Sequence, residues 1–391
     1  MKFLHTSDWH VGKGIRGHSR AGEHRAVLAE ITQTAADHQV DLILVAGDQF
    51  DTAAPSAESE SIVYDALLAM AEVAPVVVIA GNHDNPRRLD AVSPLLELGR
   101  VHMATTPRRP DDGGVLTLTA GDATPVNIAL MPFVSQRAIV RSDALMDNPA
   151  FLNAQVYAER ISAVINALTT KFTGDAVNIV AAHLFVIGGA VGGGERAVHL
   201  QEAYGVSAVD FPATTTYVAL GHLHRPQKIS GATAIHYCGS PLQLDFGESE
   251  EAKQVNIVEA DPGLPARVTP VGLTAGRSLI TLKGSFDDVA SIAQSSPDRL
   301  TDAWIRIWLN EAPRPGLADD VKELLGDRVV DVRIEGIAGP KRRRSRHDEQ
   351  TRTPTEMFAD YLSEVGNSSD ILVKTFAELH ELVGESEGVG R

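Results

Sequence analysis

Cysteine is almost absent from this 391-residue chain, in which Cys238 is the single example. A lone cysteine excludes an internal disulfide framework and is typical of a reducing compartment. No apolar run approaches the roughly 18 residues that a membrane span needs, and Asp8 lies where a signal peptide would have its apolar segment. We therefore predict a cytoplasmic protein with no membrane partner.

Positive charge is also scarce, because 35 Lys and Arg residues stand against 51 Asp and Glu residues, giving a formal net charge of −16. Nucleic-acid binders normally contact phosphates through a basic face, so this balance argues against a general nucleic-acid binder. A nucleic-acid enzyme stays compatible with it if metal ions supply the local positive charge and a partner holds the substrate.

Residues 1–272 alternate short Val, Ile and Leu runs with segments of helical period, such as 21–38 and 57–72. This alternation predicts a layered α/β core, and uninterrupted apolar strands such as VVVIA predict a sheet that is buried on both faces. Later strand-like segments in this region follow one another without long helical patterns between them, which favours a more antiparallel second sheet.

The pattern changes after residue 272, and residues 273–338 have the βαβαβ pattern of a separate small domain. The basic stretch 339–352 is either a solvated linker, which we favour, or an arm that contacts phosphates. The capping box TPTE then begins two short amphipathic helices in 353–391. These helices either pack on the protein's own core or dock on a partner.

Five strand-like runs end in side chains that can bind metals: FLHTSDWH, LILVAGDQFD, IAGNHDNP, NIVAAHLF and TYVALGHLH. Because open α/β sheets bind ligands at the carboxyl ends of their strands, we expect these side chains to meet. The candidate metal ligands are Asp8, His10, Asp48, Asn82, His183, His222 and His224. Carboxylates mixed with imidazoles suit Mn²⁺, Fe²⁺ or Zn²⁺ better than Mg²⁺ or Ca²⁺, and the absence of cysteine ligands argues against a structural zinc site.

Seven candidate ligands are too many for one ion but suit two ions that share a bridging group. Asp48 is the expected bridge, because a carboxylate has two oxygens. We assign the first ion to Asp48 together with Asp8, His10 and His224. We assign the second ion to Asp48 together with Asn82, His183 and His222. Glycine precedes three of these ligands, which we attribute to sharp backbone turns at the strand ends.

The turn GNHD also supplies a candidate catalytic pair. Asn82 can be a neutral oxygen ligand, whereas His83 is the expected acid that protonates the leaving oxygen. Asp84 is expected to hold the His83 imidazole in the required tautomer. Each residue alone is more typical of a turn, a helix cap or a structural histidine, and only the five motifs together indicate catalysis.

In sequence order, the motifs D-x-H, G-D, G-N-H-D, a lone H and G-H-x-H resemble the signature of the calcineurin-like metallophosphoesterases over about residues 1–250. The phrases HTSDWHVGKG, VAGDQFDTAAPS, ALGHLHRPQ and CGSPLQLDFGE more narrowly resemble the bacterial DNA-repair nuclease subunits that work with an SMC-like ATPase. The resemblance implies a four-layered β-sandwich flanked by helices, a small α/β capping domain and a C-terminal helical segment.

The same resemblance implies an Mn²⁺-dependent DNA exonuclease and endonuclease with two divalent ions, Fe²⁺ and Mg²⁺ being the other candidates. It implies action on DNA ends and hairpins, contact with the ATPase through 353–383, and homodimerisation. The alternatives are a phosphomonoesterase or cyclic-nucleotide phosphodiesterase, and a scaffold that mainly tethers DNA ends. Some relatives have histidine where this chain has Asp51, which is here either a group that supports a ligand or a turn residue. The glycine-rich loop 188–196 is either a substrate-side loop that uses Arg196 or simply flexible.

Overall fold

The structure is a computed structural model of the chain. It describes residues 1–139, 150–192, 205–335, 358, 362 and 371–376. The chain divides into two compact units, Met1–Gly336 and Ile337–Arg391.

The first unit is built from short strands and intervening helices. Its strands are β1 Lys2–Thr6, β2 Leu42–Ala46, β3 Val76–Ile79, β4 Val101–Ala104, β5 Val115–Thr119, β6 Pro125–Met131, β7 Val177–His183, β8 Tyr217–Gly221, β9 Gln227–Ile229, β10 Ala234–Tyr237, β11 Gln254–Glu259, β12 Arg267–Gly272, β13 Ser278–Gly284, β14 Ala303–Leu309 and β15 Val329–Ile334. Its α-helices are α1 Ala21–Asp37, α2 Ala57–Val73, α3 Pro86–Glu97, α4 Gln136–Ile139, α5 Ala150–Thr169, α6 Phe286–Ser295, α7 Pro297–Thr301 and α8 Leu317–Leu325. Short 3-10 helices cover Pro110–Asp112, Ala208–Asp210, Phe246–Glu248 and Gly326–Arg328.

Two six-stranded sheets form the larger part of the first unit. The first has the order β12-β11-β1-β2-β3-β4, with β1 to β4 parallel and β11 and β12 added antiparallel. The second has the order β5-β6-β7-β8-β10-β9, and β6, β7, β8 and β10 are parallel. The prediction of a more antiparallel second sheet was therefore wrong. Helix α5 makes the β6–β7 crossover, and the edge strand β9 allows β10 to return parallel to β8.

The two sheets pack face to face, and helices cover their outer faces. Because side chains alternate along a strand, each apolar strand can feed two cores at once. The core between the sheets includes Phe3, Leu44, Val77, Ile128 and Ile179. The core under α1 and α2 includes Leu4, Ile43, Val45, Val27 and Ile31. The core under α5 includes Val180, Leu220, Ile161 and Ile165. Helix, sheet, sheet and helix make four layers, which confirms the predicted fold class.

Helix α3 fixes the turn that precedes it. The Asn85 side chain accepts hydrogen bonds from the backbone N–H groups of Arg87 and Arg88, and Pro86 occupies the first helical position. Both features are typical of helix N-termini. The GNHD segment is therefore held between the end of β3 and a capped helix.

A third sheet of order β13-β14-β15 is all parallel and carries α6, α7 and α8 on one face. Its elements run β-α-α-β-α-β, which is the predicted pattern with one additional short helix. The proposed boundary between 1–272 and 273–338 stays a prediction.

A carboxylate at the start of α1 joins this third sheet to the larger sandwich. The Arg20 side chain is fully buried and pairs with Glu23, with 2.8 Å between Nη2 and Oε2. The same carboxylate accepts hydrogen bonds from Trp304 Nε1 at 2.8 Å and from the Arg277 backbone N–H at 2.8 Å. Burial alone would raise the pKa of Glu23, but Arg20 and these donors hold it below its ordinary value. Glu23 therefore links α1 to β14 and to the segment that leads into β13.

In the second unit, residues 371–376 are helical and the rings of Phe358 and Phe376 stack with centroids 4.3 Å apart. Most of the predicted tail 353–391, the basic stretch 339–352 and Arg196 lie outside the described residues. Among the helices that the structure describes, none is long and apolar enough to cross a membrane.

Replacing Glu23 with Ala is expected to lower the free energy of unfolding by about 3–5 kcal/mol, because the buried Arg20 charge loses its partner. Urea unfolding followed by circular dichroism measures the change. The matched control is Glu58→Ala, which removes an exposed pair with Arg25 and should cost at most about 1 kcal/mol. Equal losses in the two variants would contradict the structural role of Glu23.

Candidate metal centre

All seven predicted ligands lie at or just beyond the carboxyl ends of strands in the two large sheets. The first sheet supplies Asp8, His10, Asp48 and Asn82, from the ends of β1, β2 and β3. The second sheet supplies His183, His222 and His224, from the ends of β7 and β8. Because the sheets pack face to face, their edges bring the two sets together. Six of the seven side chains are buried, and Asn82 is partly exposed.

Asp8, His10 and His224 form the first donor group, and one ligand atom from each lies within 4.8 Å of the others. His10 Nε2 and His224 Nε2 are only 3.2 Å apart. His224 Nδ1 faces Glu248 Oε1 at 2.9 Å, which places the ring proton on Nδ1 and leaves a lone pair on Nε2. Two nitrogens this close need a proton or a cation between them, and a divalent cation can bind the lone pairs of both.

Asn82, His183 and His222 form the second donor group. Asn82 Oδ1 lies 2.9 Å from His183 Nε2 and 2.9 Å from His222 Nδ1. His183 Nδ1 donates to the Ala46 carbonyl oxygen at 2.8 Å, so that Nε2 is available as a ligand. An amide oxygen and two imidazoles around one point form a donor set that suits a divalent transition metal.

Asp48 lies between the two donor groups. Its Oδ2 is 3.5 Å from His10 Nε2 and 3.5 Å from His183 Nε2, while its Oδ1 accepts a hydrogen bond from the His83 backbone N–H at 2.7 Å. Burial alone would raise the pKa of Asp48, but His183 and His10 hold it well below its usual range. An ionised carboxylate with one oxygen facing both groups has the geometry of a bridging ligand. The residues present therefore fit two ions.

Strained backbone aims several of these side chains. Asp8, His10, Asp48 and His222 have φ values of 53°, 47°, 53° and 107°, in the left-handed region that ordinary residues rarely adopt. Such conformations cost roughly 1–3 kcal/mol each and persist where the surrounding structure enforces them. Four of the seven candidate ligands share this feature. Holding these side chains in the direction of the site therefore lowers the free energy of unfolding.

Glycine precedes three of the ligands, and two different physical requirements explain it. Gly47 has a φ of 96°, which agrees with the predicted sharp turn. Gly81 and Gly221 are not in the left-handed region, so a positive φ is not the reason for glycine at these two positions. They provide space instead, because a Cβ on Gly81 would lie 2.1 Å from Asp48 Oδ1 and one on Gly221 would lie 1.9 Å from the Ala46 carbonyl oxygen.

His83 lies beside the first donor group, with its ring centroid 4.6 Å from that of His10. Its Nδ1 donates to the Asp51 carbonyl oxygen at 2.7 Å, which leaves Nε2 for another partner. The prediction that Asp84 sets this tautomer was wrong, because the Asp51 carbonyl oxygen is the partner of Nδ1. The Asp84 carboxylate accepts hydrogen bonds from the backbone N–H groups of Gln49, Phe50 and Gly81, so it ties the β2 and β3 turns together.

Asp51, whose role the sequence leaves open, lies against the first donor group. Its Oδ1 lies 3.5 Å from His10 Nδ1 and 3.3 Å from Lys13 Nζ. Burial alone would raise the pKa of Asp51, but His10 and Lys13 lower it to about 2. These contacts favour a group that supports a ligand over a plain turn residue.

Several residues that support the ligands were not predicted from the sequence. Glu248 joins His224 to the buried Lys253, whose Nζ lies 2.8 Å from Glu248 Oε2. Ser7 Oγ donates to Asp8 Oδ2 at 2.5 Å, and the Phe133 ring lies nearly parallel to that of His222 with centroids 6.3 Å apart. Glu248 is the last residue of the phrase CGSPLQLDFGE, so it lies in a motif that the sequence analysis singled out, but no role was assigned to it. Ser7 had only its position next to Asp8, and Phe133 had no local signal.

Known proteins are similar to this chain over most of its length. A family model of calcineurin-like phosphoesterases matches residues 1–226. The D subunit of the SbcCD nuclease from Bacillus subtilis strain 168 is 38% identical over 324 residues, covering 82% of this chain and 81% of that protein. Its namesake from Escherichia coli K12 is 31% identical over 323 residues, covering 79% and 77%. The Rhodobacter capsulatus protein of that name is 34% identical over 286 residues, covering 69% of each chain. The similarity therefore extends beyond the part that carries the motifs.

Gly81→Ala is expected to reduce bound metal to less than one ion per chain, because the added methyl group displaces the Asp48 carboxylate. Elemental analysis after Mn²⁺ loading and gel filtration measures the metal content. Gly22→Ala is the matched control, since a Cβ there, in α1, meets no atom within 4 Å. Full metal occupancy in Gly81→Ala would show that Asp48 is not held as described.

Proposed function

This chain belongs to the SbcD nucleases within the calcineurin-like phosphoesterase family, and on that basis we propose that it hydrolyses DNA phosphodiester bonds with two Mn²⁺ ions. That it is a metal-dependent nuclease subunit follows from the family. The observation that carries the two-ion proposal is the position of Asp48 Oδ2, 3.5 Å from a ring nitrogen in each donor group. A centre with one ion would not need a carboxylate shared between two complete sets.

The proposed ligand sets are those assigned from the sequence. The first ion would be held by Asp48 with Asp8, His10 and His224. The second would be held by Asp48 with Asn82, His183 and His222. Two such ions activate water and offset the charge of an in-line phosphoryl transition state.

His83 is the proposed acid in this reaction. With Nδ1–H donating to the Asp51 carbonyl oxygen, the ring is oriented so that Nε2 can give a proton to the departing sugar oxygen. The side chain is 8% exposed, so only a small part of it contacts solvent. Asp84 is proposed to support catalysis indirectly, because its hydrogen bonds to Gln49 N and Gly81 N hold the turns that carry Asp48 and His83.

Mn²⁺ is proposed as the ion because the donors are mixed oxygen and nitrogen atoms without cysteine. Mg²⁺ prefers all-oxygen sites and would be a weaker fit, while Fe²⁺ suits the same donors. The Nδ1 contacts of His183 and His224 with Ala46 and Glu248 orient both imidazoles for ligation, as outer partners of metal-bound histidines commonly do.

DNA ends and hairpins are proposed as substrates, in repair and recombination at the nucleoid in the cytoplasm. The third sheet and the C-terminal unit favour a macromolecular substrate and a protein partner over a small phosphomonoester. The relatives' name describes one part of the SbcCD nuclease, and we propose an SbcC-like, SMC-type ATPase as the partner through 353–383. Ile371 and Leu372 are 77% and 42% exposed on the helical residues of that segment, which supports a docking role.

Homodimerisation is also proposed, and exposed leucines on two helices of the first sheet support it. Leu68 in α2 is 43% exposed, while Leu95 and Leu98 at the end of α3 are 70% and 85% exposed. Apolar side chains concentrated on neighbouring helices are typical of surfaces that another protein covers. A second copy of the chain is the occupant that the family resemblance implies.

The proposed substrate class predicts Mn²⁺-dependent cleavage of end-labelled linear and hairpin DNA by the purified protein. A chromogenic bis-phosphodiester should also be cleaved, because the centre needs only one diester group in reach. A chromogenic monoester is the comparison substrate. Monoester turnover with intact DNA would move the protein to the small-molecule phosphatases.

His83→Ala is expected to keep both ions and to lose roughly 10²–10⁴-fold in diester cleavage, the range typical of a lost general acid. Asp48→Ala should lose bound metal as well as activity, because the shared ligand is gone. Isothermal titration with Mn²⁺ and a diester assay measure the two properties separately. Equal metal loss in the two variants would refute this division of roles, and His102→Ala, at a partly exposed position in β4, is the control.

A further inference from the structure

Helices cover one face of the third sheet, and the opposite face contributes no residue to the metal centre. Helices α6, α7 and α8 cover the face that carries Ile280, Leu282, Ile305 and Ile307. The opposite face begins as an apolar contact with the sandwich, made by Ile15, Phe246, Leu279 and Trp304. Further along the same strands, toward their carboxyl ends, this face becomes polar and accessible.

Strand register places cations around a tryptophan on this face. Lys283 in β13, Trp308 in β14 and Arg333 in β15 are directly paired across the sheet. The preceding row contains Thr281, Arg306 and Asp331 in the same way, after the irregularity at Ile305/Arg306. We refer to Lys283, Arg306, Trp308 and Arg333 as the cation–tryptophan face.

Three cations converge on the Trp308 ring. The Lys283 Nζ lies 4.2 Å from the ring centroid, and the guanidinium carbons of Arg306 and Arg333 lie at 4.8 and 5.9 Å. Arg306 is fixed in place, because it donates to Thr281 Oγ1 and its guanidinium also lies 4.5 Å from the centroid of Phe246. Within the described residues, the buried Nε1–H of Trp308 has no hydrogen-bond partner.

The cations on this face outnumber the acids that surround them. Arg16 and Arg333 both contact Asp331, at 3.5 and 3.3 Å, and so share one carboxylate. Asp245 also acts on Arg306, but burial and then the charges of Arg333 and Arg16 lower the pKa of Arg306. The chain as a whole has a net charge of −16. A local excess of positive charge on one face therefore calls for a functional explanation.

A cleft continues the face toward the 3-10 helix Phe246–Glu248. It has a volume of about 460 Å³ and adds Arg299 to the cations, together with the hydroxyl groups of Ser278 and Thr281, while Glu250 is the acid that lines it. Hydroxyl and guanidinium donors around a cleft of this size suit the oxygens of a phosphate group.

We propose that the cation–tryptophan face binds a single nucleic-acid strand, with its phosphates on the cations and a base against Trp308. Lys283 is exposed and Arg333 is half-exposed, so both can reach a backbone phosphate. When the Lys283 ammonium leaves the ring for a phosphate, it uncovers an aromatic face on which a base can stack. Stacking next to a basic track is the common mode of single-strand binding. This inference rests on the proposed function, because it assigns a strand of the same substrate to a second surface.

The first test is binding of oligothymidylate to the full chain in EDTA, which removes any contribution of metal ions. Trp9 and Trp304 are buried and the chain has three tryptophans, so quenching of fluorescence reports on Trp308. Lys283→Ala with Arg333→Ala should weaken binding at least tenfold. It should also reduce the salt slope by about 1.4, because each phosphate contact on a single strand contributes about 0.7.

The matched control removes two exposed positive charges elsewhere, by Lys322→Ala in α8 and Arg267→Ala in β12. This double variant should bind as the unchanged protein does. Absence of binding by the unchanged protein, or equal weakening in the two double variants, would overturn the proposal. If the Lys283/Arg333 variant does not fold, the single exposed substitution Lys283→Ala decides, with an expected slope change of about 0.7.

The role of the ring is tested by Trp308→Phe and Trp308→Ala. Because both variants lack Trp308, their binding is followed by the fluorescence anisotropy of labelled oligothymidylate. The phenylalanine variant should retain most of the affinity for oligothymidylate, and the alanine variant should lose roughly tenfold. Inorganic polyphosphate has no bases, so its binding should be the same in both variants. An equal loss for polyphosphate would refute base stacking. Mn²⁺-dependent cleavage of the chromogenic bis-phosphodiester should be unchanged in every variant of this face, so its failure would point to the metal centre instead.

Discussion

The buried negative charge of Asp48 is the constraint on which the rest of the site depends. Removing a carboxylate from water costs several kcal/mol, and that cost must be offset by nearby positive charge and hydrogen bonds. Here the backbone N–H of His83 fixes one oxygen, and the other faces His10 and His183. Two divalent ions would offset the charge of Asp48 and also use the lone pairs that the imidazoles direct at one another. The same carboxylate requires glycine at position 81, since any Cβ there would collide with it.

The second constraint is that two sheets must deliver these groups to one place. Ligands from the first sheet and ligands from the second meet only because the core between the sheets sets their spacing. That core is packed with Leu44, Val77, Ile128 and Ile179, and it ends where the polar residues begin. The left-handed backbone at Asp8, His10, Asp48 and His222 then turns these side chains into the site. Stability from apolar packing thus supports local strain at the strand ends.

Prediction from the sequence succeeds where a residue type at one place has few alternative roles. Five apolar runs ending in Asp, Asn or His predicted the strand ends, and the structure brings all seven candidate ligands together. Prediction failed for the parallel second sheet, because strand direction depends on how the chain crosses over and not on the strands themselves. It also failed for the Asp84 contact, and it did not show the space that Gly81 and Gly221 provide. Those errors share a cause, since a residue next to another in sequence need not touch it, and residues far apart, such as Gly221 and Ala46, do.

The residues that support the ligands also could not be predicted, because their contacts join positions that are distant in the sequence. Glu248 is 24 residues from His224, yet it contacts Nδ1 of that imidazole and is itself held by Lys253. Nothing in the spacing of these residues encodes that chain of contacts, which depends on how β10, the following 3-10 helix and β11 fold beside β8. The cation–tryptophan face is encoded more directly, because alternation along β13 and β14 places Lys283, Arg306 and Trp308 on one side. An acidic chain can therefore conceal a basic surface, since net charge sums over the whole molecule whereas a phosphate responds to the few groups within about one Debye length, roughly 8–10 Å.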